Sequence, residues 1–198
     1  RSSGKIMFIE IRDGSGYIQA IVDQSVVAPE VWEKANSLTQ ESTCTISGTV
    51  SKHPKKDEYE LQVSDLEVVG VSVDYPIGNK EHGPDFLLEQ RHLWLRSRKQ
   101  WALLRIRHTV YWAVCEYLNN HDFIKFDSPI LTPNACEGTT ELFEIDYFGE
   151  RKAYLSQSGQ LYLEAGIGAH GRVYDFGPVF RAEKSKTRRH LTEFWMMD

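Results

Sequence analysis

The segment that most restricts the fold of this chain is its last nineteen residues, FRAEKSKTRRHLTEFWMMD from Phe180 to Asp198. Two apolar, strand-like runs there flank a loop crowded with fixed positive charge, the layout of a hairpin shaped to hold a polyphosphate. In the first ten of these residues Arg181, Lys184, Lys186, Arg188 and Arg189 stand against the single Glu183, while the whole chain carries a net charge of -5. Cations gathered locally in an acidic chain point to an anionic ligand rather than to general basicity. Arginine suits that task, because its planar fork grips phosphate or carboxylate oxygens through two parallel hydrogen bonds and keeps its charge at any physiological pH. Phe194 adds an aromatic face on the opposite strand. A clamp and a stacking ring on one hairpin suit a nucleotide such as ATP; Lys184 and Lys186 read as an ordinary solvated turn.

The rest of the chain narrows the class. It has 198 residues, 41% hydrophobic and 26% charged, which is enough to bury a core in one large domain or two small ones. No apolar run approaches the length that spans a bilayer, so no membrane segment is expected. Cys44, Cys115 and Cys136 are widely spaced and odd in number, which fits reduced thiols in the cytoplasm better than a metal knuckle or a disulfide framework. Residue 1 is Arg and both ends fall at strand-like patterns, so the chain reads as a fragment.

From Lys5 to Gly70 the patterns are mostly short strands. KIMFIEI and YIQAIV are joined by a turn at Gly14-Ser15-Gly16, and TCTISGTV and YELQVSDLEVV by a polar turn around Pro54 to Asp57. Between the pairs, APEVWEKANSLTQE reads as a helix with Pro29 near its start. Strands, helix, strands is the order of an OB-fold, a small all-β barrel that commonly binds oligonucleotides, here over residues 1–71 with its first strand missing. Residues 72–90 hold Pro76, Gly78, Gly83 and Pro84 and read as a hinge. Ser97 and Gln100 then form an S-x-x-Q capping box, and Trp101, Leu104, Tyr111, Cys115 and Leu118 recur at helical spacing to Asn119. FIKFDSPIL reads as a strand interrupted by Pro129. Gly166 to Gly171 fits G-x-G-x-x-G, but it follows a helix-like run and precedes a strand-like one. That is the reverse of a dinucleotide fingerprint, so it reads as a helix-ending turn.

The F-R-x-E opening, the R-H pair and the closing E-F-W at these offsets resemble motif 2 of the class II aminoacyl-tRNA synthetases. The wording is nearest the asparaginyl branch of the aspartyl, asparaginyl and lysyl subgroup. The helix and proline-ended strand resemble motif 1 of that class, and EHGPDFLLEQRHLWLRSR further resembles the asparaginyl branch. The resemblance implies an OB-fold barrel followed by part of an α+β class II catalytic domain on an antiparallel sheet, residues 91–198, with motif 3 absent. It implies ATP as substrate, with Arg181 and His190 as the catalytic pair. Arg181 would contact the α-phosphate and the amino-acid carboxylate, Glu183 the adenine amino group, and His190 the γ-phosphate. Phe194 would stack on adenine, Glu193 would lie near the metal-bound phosphates, and Arg189 would join the ATP site. Magnesium would accompany ATP, with no metal ligand inside this chain and the acidic ligands expected just after Asp198. A homodimer would form through motif 1, including Pro129.

For the amino acid, CEGTTELFEI sets Glu137 beside Gly138 in a loop able to fold over a ligand, and LSQSGQLYLE offers Ser158 and Gln160 as uncharged donors and acceptors. By resemblance Glu137 binds the α-ammonium. Aspartyl enzymes carry a lysine where this chain has Leu163. A buried carboxylate without a counter-ion costs on the order of several kcal/mol, so Leu163 favours L-asparagine over aspartate, and a site built on the amide's hydrogen bonds can reject its mimic. At the other end, the resemblance to the family's anticodon-binding domain implies that Phe8 would stack on the middle anticodon base of tRNA(Asn), a uracil, that Gln19 would bond its edge, and that Arg1 would contact the loop backbone. Stacking of an unpaired base on an aromatic is worth roughly 1 to 3 kcal/mol. The expectation is asparagine activation and transfer to tRNA(Asn) by an intact cytoplasmic enzyme, with this piece inactive by itself. The rival readings are an aspartyl enzyme of relaxed specificity and a non-catalytic OB-fold RNA binder with a synthetase remnant.

Overall fold

Alternating apolar residues build the first half of the molecule. In the computed structural model, which describes residues 2–135, 141–185, 187 and 189–198, β1 (Ser2–Ser3), β2 (Ile6–Arg12) and β3 (Tyr17–Asp23) form an antiparallel meander. The β2–β3 turn is closed by Asp13, whose carboxylate accepts from the Ser15 hydroxyl at 2.6 Å and the amides of Ser15 at 2.8 Å and Gly16 at 3.2 Å. The Ser15 hydroxyl foremost, then these amides, hold the Asp13 carboxyl below its usual range. After α1 (Pro29–Ser37) come β4 (Thr43–Lys52) and β5 (Tyr59–Gly70). β5 lies parallel to β3 and antiparallel to β4, giving the order β1-β2-β3-β5-β4. This is the OB-fold expected from the strand pattern.

Successive strand residues face opposite sides, and the inner set makes the core. Met7, Ala20, Val22, Val63 and Leu66 pack with Val27 and with Val31 and Ala35 of α1, which share one helix face through their spacing of four. α1 is shorter than the run APEVWEKANSLTQE suggests. Leu38 is extended at φ -69° and ψ 130°, and the Thr39 and Ser42 hydroxyls bond each other at 2.9 Å, a local alternative to helix that such residues favour. Part of the stretch read as a hinge is also helical. Pro84 opens α2 (Pro84–Glu89), followed by α3 (Arg91–Trp94), in keeping with the preference of proline for a first turn. These elements all belong to one compact unit, Arg1–Leu95; the second is Arg96–Asp198.

The second unit begins with α4 (Arg98–Asn119), where the Ser97 hydroxyl accepts the Gln100 amide at 3.4 Å, the cap that S-x-x-Q predicts. Cys115 is buried and Trp101, Tyr111 and Leu118 are half-buried, but Leu104, expected in that stripe, is 47% exposed. Then follow β6 (Ile124–Lys125), β7 (Leu131–Thr132), β8 (Glu144–Tyr147), β9 (Arg151–Leu155), α5 (Gln160–His170), β10 (Val173–Tyr174), β11 (Phe176–Phe180) and β12 (Glu193–Met197). FIKFDSPIL is not one strand: its ends pair in different sheets, β6 with β10 in parallel and β7 with β9 antiparallel. Pro129 lies between them and has no N–H for a ladder. Antiparallel pairing otherwise prevails, as β7-β9-β8 and as the hairpin β11-β12.

The glycine-rich run 166–171 is a correction. α5 continues through Gly166 and Gly168 and ends only at Gly171, with φ +77°. Gly166 is buried where an added Cβ would lie 3.3 Å from the Phe126 ring, so its role is helix packing rather than helix ending. No helix among the described residues is long and apolar enough to cross a membrane.

Candidate functional site

The β11–β12 hairpin pairs Phe180 with Glu193 and Val179 with Phe194, and the period of two sends its aromatics to opposite faces. On one face Phe176 and Trp195 meet at 5.9 Å, and Tyr111 of α4 stacks on Phe176 at 4.9 Å. The other face holds Phe194 beside the guanidinium of Arg181. Arg181 Cζ stands 5.4 Å from the Phe194 ring centroid. The Arg181 amide donates to Thr192 O at 2.9 Å, continuing the ladder past the strand end. Its Nη1 donates to Phe180 O at 3.2 Å and to Gln157 O in a very short contact. Two carbonyls thus help to orient the guanidinium, whose planar fork suits an anion clamp. Both Arg181 and Phe194 are half-buried.

Around them, Glu183, Arg189, His190 and Glu193 are exposed. His190 Nδ1 contacts the Thr187 hydroxyl, and that hydroxyl accepts the Arg189 amide at 3.4 Å. An open cleft of about 560 Å³ is lined by Glu141, Leu142, Phe143, Glu144, Tyr154 and Ala182. Glu137 of the amino-acid loop and Lys186 and Arg188 of the basic loop lie outside the described residues, as does Arg1. Among the described residues no group of three or more His, Cys, Asp or Glu side chains could hold a metal ion.

The turn from Ser156 to Gly159 is buried, and a residue that sequence reasoning passed over organises it. Asp198 Oδ2 accepts both the Ser158 hydroxyl and the Gly159 amide, each at 2.9 Å. The Ser158 oxygen in turn accepts the Gln160 amide at 3.0 Å at the start of α5. Asp175, 7% exposed, exchanges backbone hydrogen bonds with Asp198 and accepts the Ser128 amide on Oδ2 at 3.3 Å. Gly159 is tightly enclosed, since an added Cβ would sit 2.6 Å from Asp175 Oδ2 and 2.7 Å from Ser128 Oγ. Gln160 is exposed and donates to Glu164 at 3.0 Å, while Leu163 is 6% exposed within α5. Pro129 follows Ser128 between the short strands. The signal for Asp175 and Asp198 was faint, two acids at strand ends twenty-three positions apart, joined only by pairing.

On β10, next to Asp175 in the chain, Tyr174 is pushed up to about 12, by burial first and then by its hydrogen bond with the Cys115 thiol. Tyr111 is shifted upward for the same first reason, with Cys115 again adjacent.

In the first unit, Phe8 pairs with Ile21 and Glu10 with Gln19 across β2–β3, so Phe8 and Gln19 share the sheet face opposite Met7 and Val22. Phe8 is half-buried and Gln19 exposed. Gln19 also pairs with Glu60 of β5 and donates from Nε2 to Glu60 Oε1 at 2.6 Å. The site is thus two separate constellations, an arginine–aromatic hairpin and an aromatic–amide sheet face.

Comparison with known proteins gives that division a family. The model for class II tRNA synthetases (D, K and N) matches residues 83–198, and that for the OB-fold nucleic acid binding domain matches residues 1–69. The chain belongs to the class II tRNA synthetases of this D, K and N group. It is 55% identical to the asparagine–tRNA ligase of Lactobacillus helveticus (strain DPC 4571) over 100% of its own length and 46% of the relative's. The asparaginyl-tRNA synthetase from Pyrococcus horikoshii, solved with asparaginyl-adenylate, is similar with a TM-score of 0.91 at 40% identity, over 100% of this chain and 46% of that one. The asparaginyl-tRNA synthetase of Entamoeba histolytica, solved with the same adenylate, gives 0.85 at 31% identity over 99% and 46%. The chain therefore spans about half the length of the relatives it matches.

Proposed function

We propose that the protein to which this chain belongs is an asparagine–tRNA ligase that activates L-asparagine with ATP and transfers it to tRNA(Asn) in the cytoplasm. One observation carries the reading: Arg181, aimed by the carbonyls of Gln157 and Phe180, stands over the Phe194 ring at 5.4 Å on the hairpin. The similarity to synthetases solved with asparaginyl-adenylate supports placing a nucleotide there.

In the first step an asparagine carboxylate oxygen attacks the ATP α-phosphorus, the bond to the β-phosphate bridging oxygen breaks, and pyrophosphate leaves. In the second the terminal ribose hydroxyl of the tRNA attacks the adenylate carbonyl, AMP leaves, and the hydroxyl proton goes to solvent. No side chain acts as nucleophile; positioning and charge complementarity carry the rate. Arg181 neutralises the α-phosphate and the carboxylate, Phe194 holds adenine, and Glu183, Arg189, His190 and Glu193 surround the nucleotide. Glu137, Ser158, Gln160 and Leu163 form the amino-acid pocket, with an uncharged leucine at position 163 where a lysine would draw in aspartate. Magnesium would supply charge screening of the triphosphate; the described residues contain no cluster to hold it. In the OB unit, residues 1–71, Arg1, Phe8 and Gln19 read the anticodon; residues 72–90 act as a hinge and 91–198 as the catalytic part. α4 exposes Leu103, Ile106, Val110 and Trp112 at 48 to 61%, which with Pro129 supplies an apolar surface for a homodimer.

The test is ATP–pyrophosphate exchange by the full-length protein. Wild type exchanges with asparagine and not with aspartate, and Arg181→Ala lowers exchange about a thousandfold. Exchange untouched by that substitution would refute the nucleotide site, and equal use of aspartate would refute the assignment of the amino acid.

A further inference from the structure

The hairpin that carries Arg181 and Phe194 is weakly determined by its own strands. Among the described residues β11 and β12 form a two-stranded sheet, and such a hairpin is marginal by itself. β11 also contains Gly177 and Pro178; the first has no side chain to pack and the second no N–H for the ladder. Pro178 lies opposite Trp195, the neighbour of Phe194, so the pairing is thinnest beside the ring that faces Arg181. β11 is tied from outside by backbone, through the Phe180 amide to Ser156 O at 2.9 Å, and the Gln157 and Phe180 carbonyls orient Arg181. For β12, which carries Phe194, aromatic rings do the corresponding work.

Tyr111 of α4 stacks on Phe176 at 4.9 Å and 20°, Phe176 meets Trp195 edge-on at 5.9 Å and 82°, and Tyr111 meets the same Trp195 at 6.4 Å and 79°. One stacked and two edge-to-face pairs close a triangle, each in a geometry that ring quadrupoles favour. Arg107 adds a second hold from α4, with Cζ 5.7 Å from the Trp195 centroid. Its spacing of four from Tyr111 puts both on one side of the helix, so a single rigid element touches Trp195 at two points. Trp195 stays 47% exposed, and contacts of this kind fix its tilt more than they bury it. Trp195 and Phe194 are consecutive strand residues on opposite faces, so tilting the rear ring tilts the front one. We infer that Tyr111 is a positioning residue for the nucleotide: acting through Phe176 and Trp195, with Arg107 as the second hold, it sets the angle at which Phe194 is presented beside Arg181. The inference rests on the proposed reading that this hairpin holds ATP, and it adds what outside the hairpin makes the site.

The experiment is ATP–pyrophosphate exchange by the full-length protein, with KM measured separately for ATP and for asparagine. Tyr111→Leu, which removes the ring, raises KM for ATP about tenfold. KM for asparagine moves by less than about twofold, because Arg181 is held by β11 and not by the rings. Tyr111→Phe keeps the ring and restores the wild-type value. Combining Tyr111→Leu with Trp195→Leu is no worse than Trp195→Leu alone, since two links of one chain of contacts do not add. Phe194→Leu checks the underlying reading. If KM for ATP rises with Phe194→Leu but holds with Tyr111→Leu, the positioning role is overturned and the nucleotide reading stands. If neither substitution moves it, that reading falls and the inference with it. Equal rises in both KM values for Tyr111→Leu would mean that Tyr111 only supports the fold, and additive losses in the double variant would rule out the route through Trp195. Should Tyr111→Leu fail to fold, Arg107→Met, at an exposed position, is read by the same pair of constants and raises KM for ATP alone by about threefold; no change there would equally overturn the inference.

Discussion

The OB unit closes around a single apolar cluster that includes Met7, Val22, Val63 and Leu66, whereas the catalytic unit buries Thr132, Ser156, Gln157, Ser158 and Asp175 and turns Ile106 and Trp112 outward. The first is a scaffold whose long strands are held by hydrophobic burial, with Phe8 and Gln19 on the outer face. The second has short strands and a mixed interior, in which those polar groups lie buried along with Ala153, Leu163, Val173 and Val179, so its geometry depends more on directional bonds such as those from Ser158 and Gly159 to Asp198. Burial stabilises without regard to direction; hydrogen bonds position without adding much net stability. Lesions in the first unit should therefore register as stability, and lesions in the second as activity.

The largest expected effect tests the first half of that contrast. Leu66→Ala, at a position with 0% exposure, destabilises the OB unit by about 3 kcal/mol in urea unfolding of the full-length protein, and a loss under half that would break the comparison. Next, Gly159→Ala forces a Cβ to within 2.6 Å of Asp175 Oδ2. It lowers ATP–pyrophosphate exchange about a hundredfold while the OB-unit transition stays in place. Ser97→Ala removes the α4 cap and costs about 1 kcal/mol, visible as a lower unfolding midpoint of the catalytic unit.

A smaller effect follows from Tyr174. Burial and the Cys115 hydrogen bond raise it to about 12, so the folded state keeps a proton that the unfolded chain releases near about pH 10. Its contribution is complete below that pH and is lost as pH rises from about 10 to 12. Tyr174→Phe should flatten the alkaline slope of the catalytic-unit transition alone. The smallest change in stability is expected for Ile106→Ser, at 61% exposure, within about 0.5 kcal/mol. Its readout is self-association by sedimentation, which should weaken.

Much of the frame was legible because it rests on local pattern. The β-branched, apolar runs KIMFIEI and YIQAIV mark β2 and β3, S-x-x-Q marks the start of α4, and two apolar runs around a charged loop mark the hairpin that sets Arg181 beside Phe194. Less legible was whatever depends on a neighbour distant in sequence. The run 166–171 reads as a turn because glycine is a poor helix former, yet Gly166 stays helical against Phe126. APEVWEKANSLTQE overruns α1 because Thr39 and Ser42 offer the backbone another partner. Asp198, at the end of the chain, gave no sign that it receives the Ser158 hydroxyl.

Composition, period and spacing by themselves determined the two-part architecture, the OB-fold order, the capped helix and the basic hairpin, since each follows from propensities and alternation acting within a dozen residues. Only the tertiary structure decided that Gln19 meets Glu60 across forty-one positions, that His53 lies 3.7 Å from the same Glu60 carboxylate, and that Asp175 and Asp198 pair beside Gly159. Parallel pairing of β3 with β5 and the joining of β10–β11 to β12 bring those groups together. Such contacts form only once loop closure between remote segments has been offset by burial elsewhere, and no local pattern encodes them.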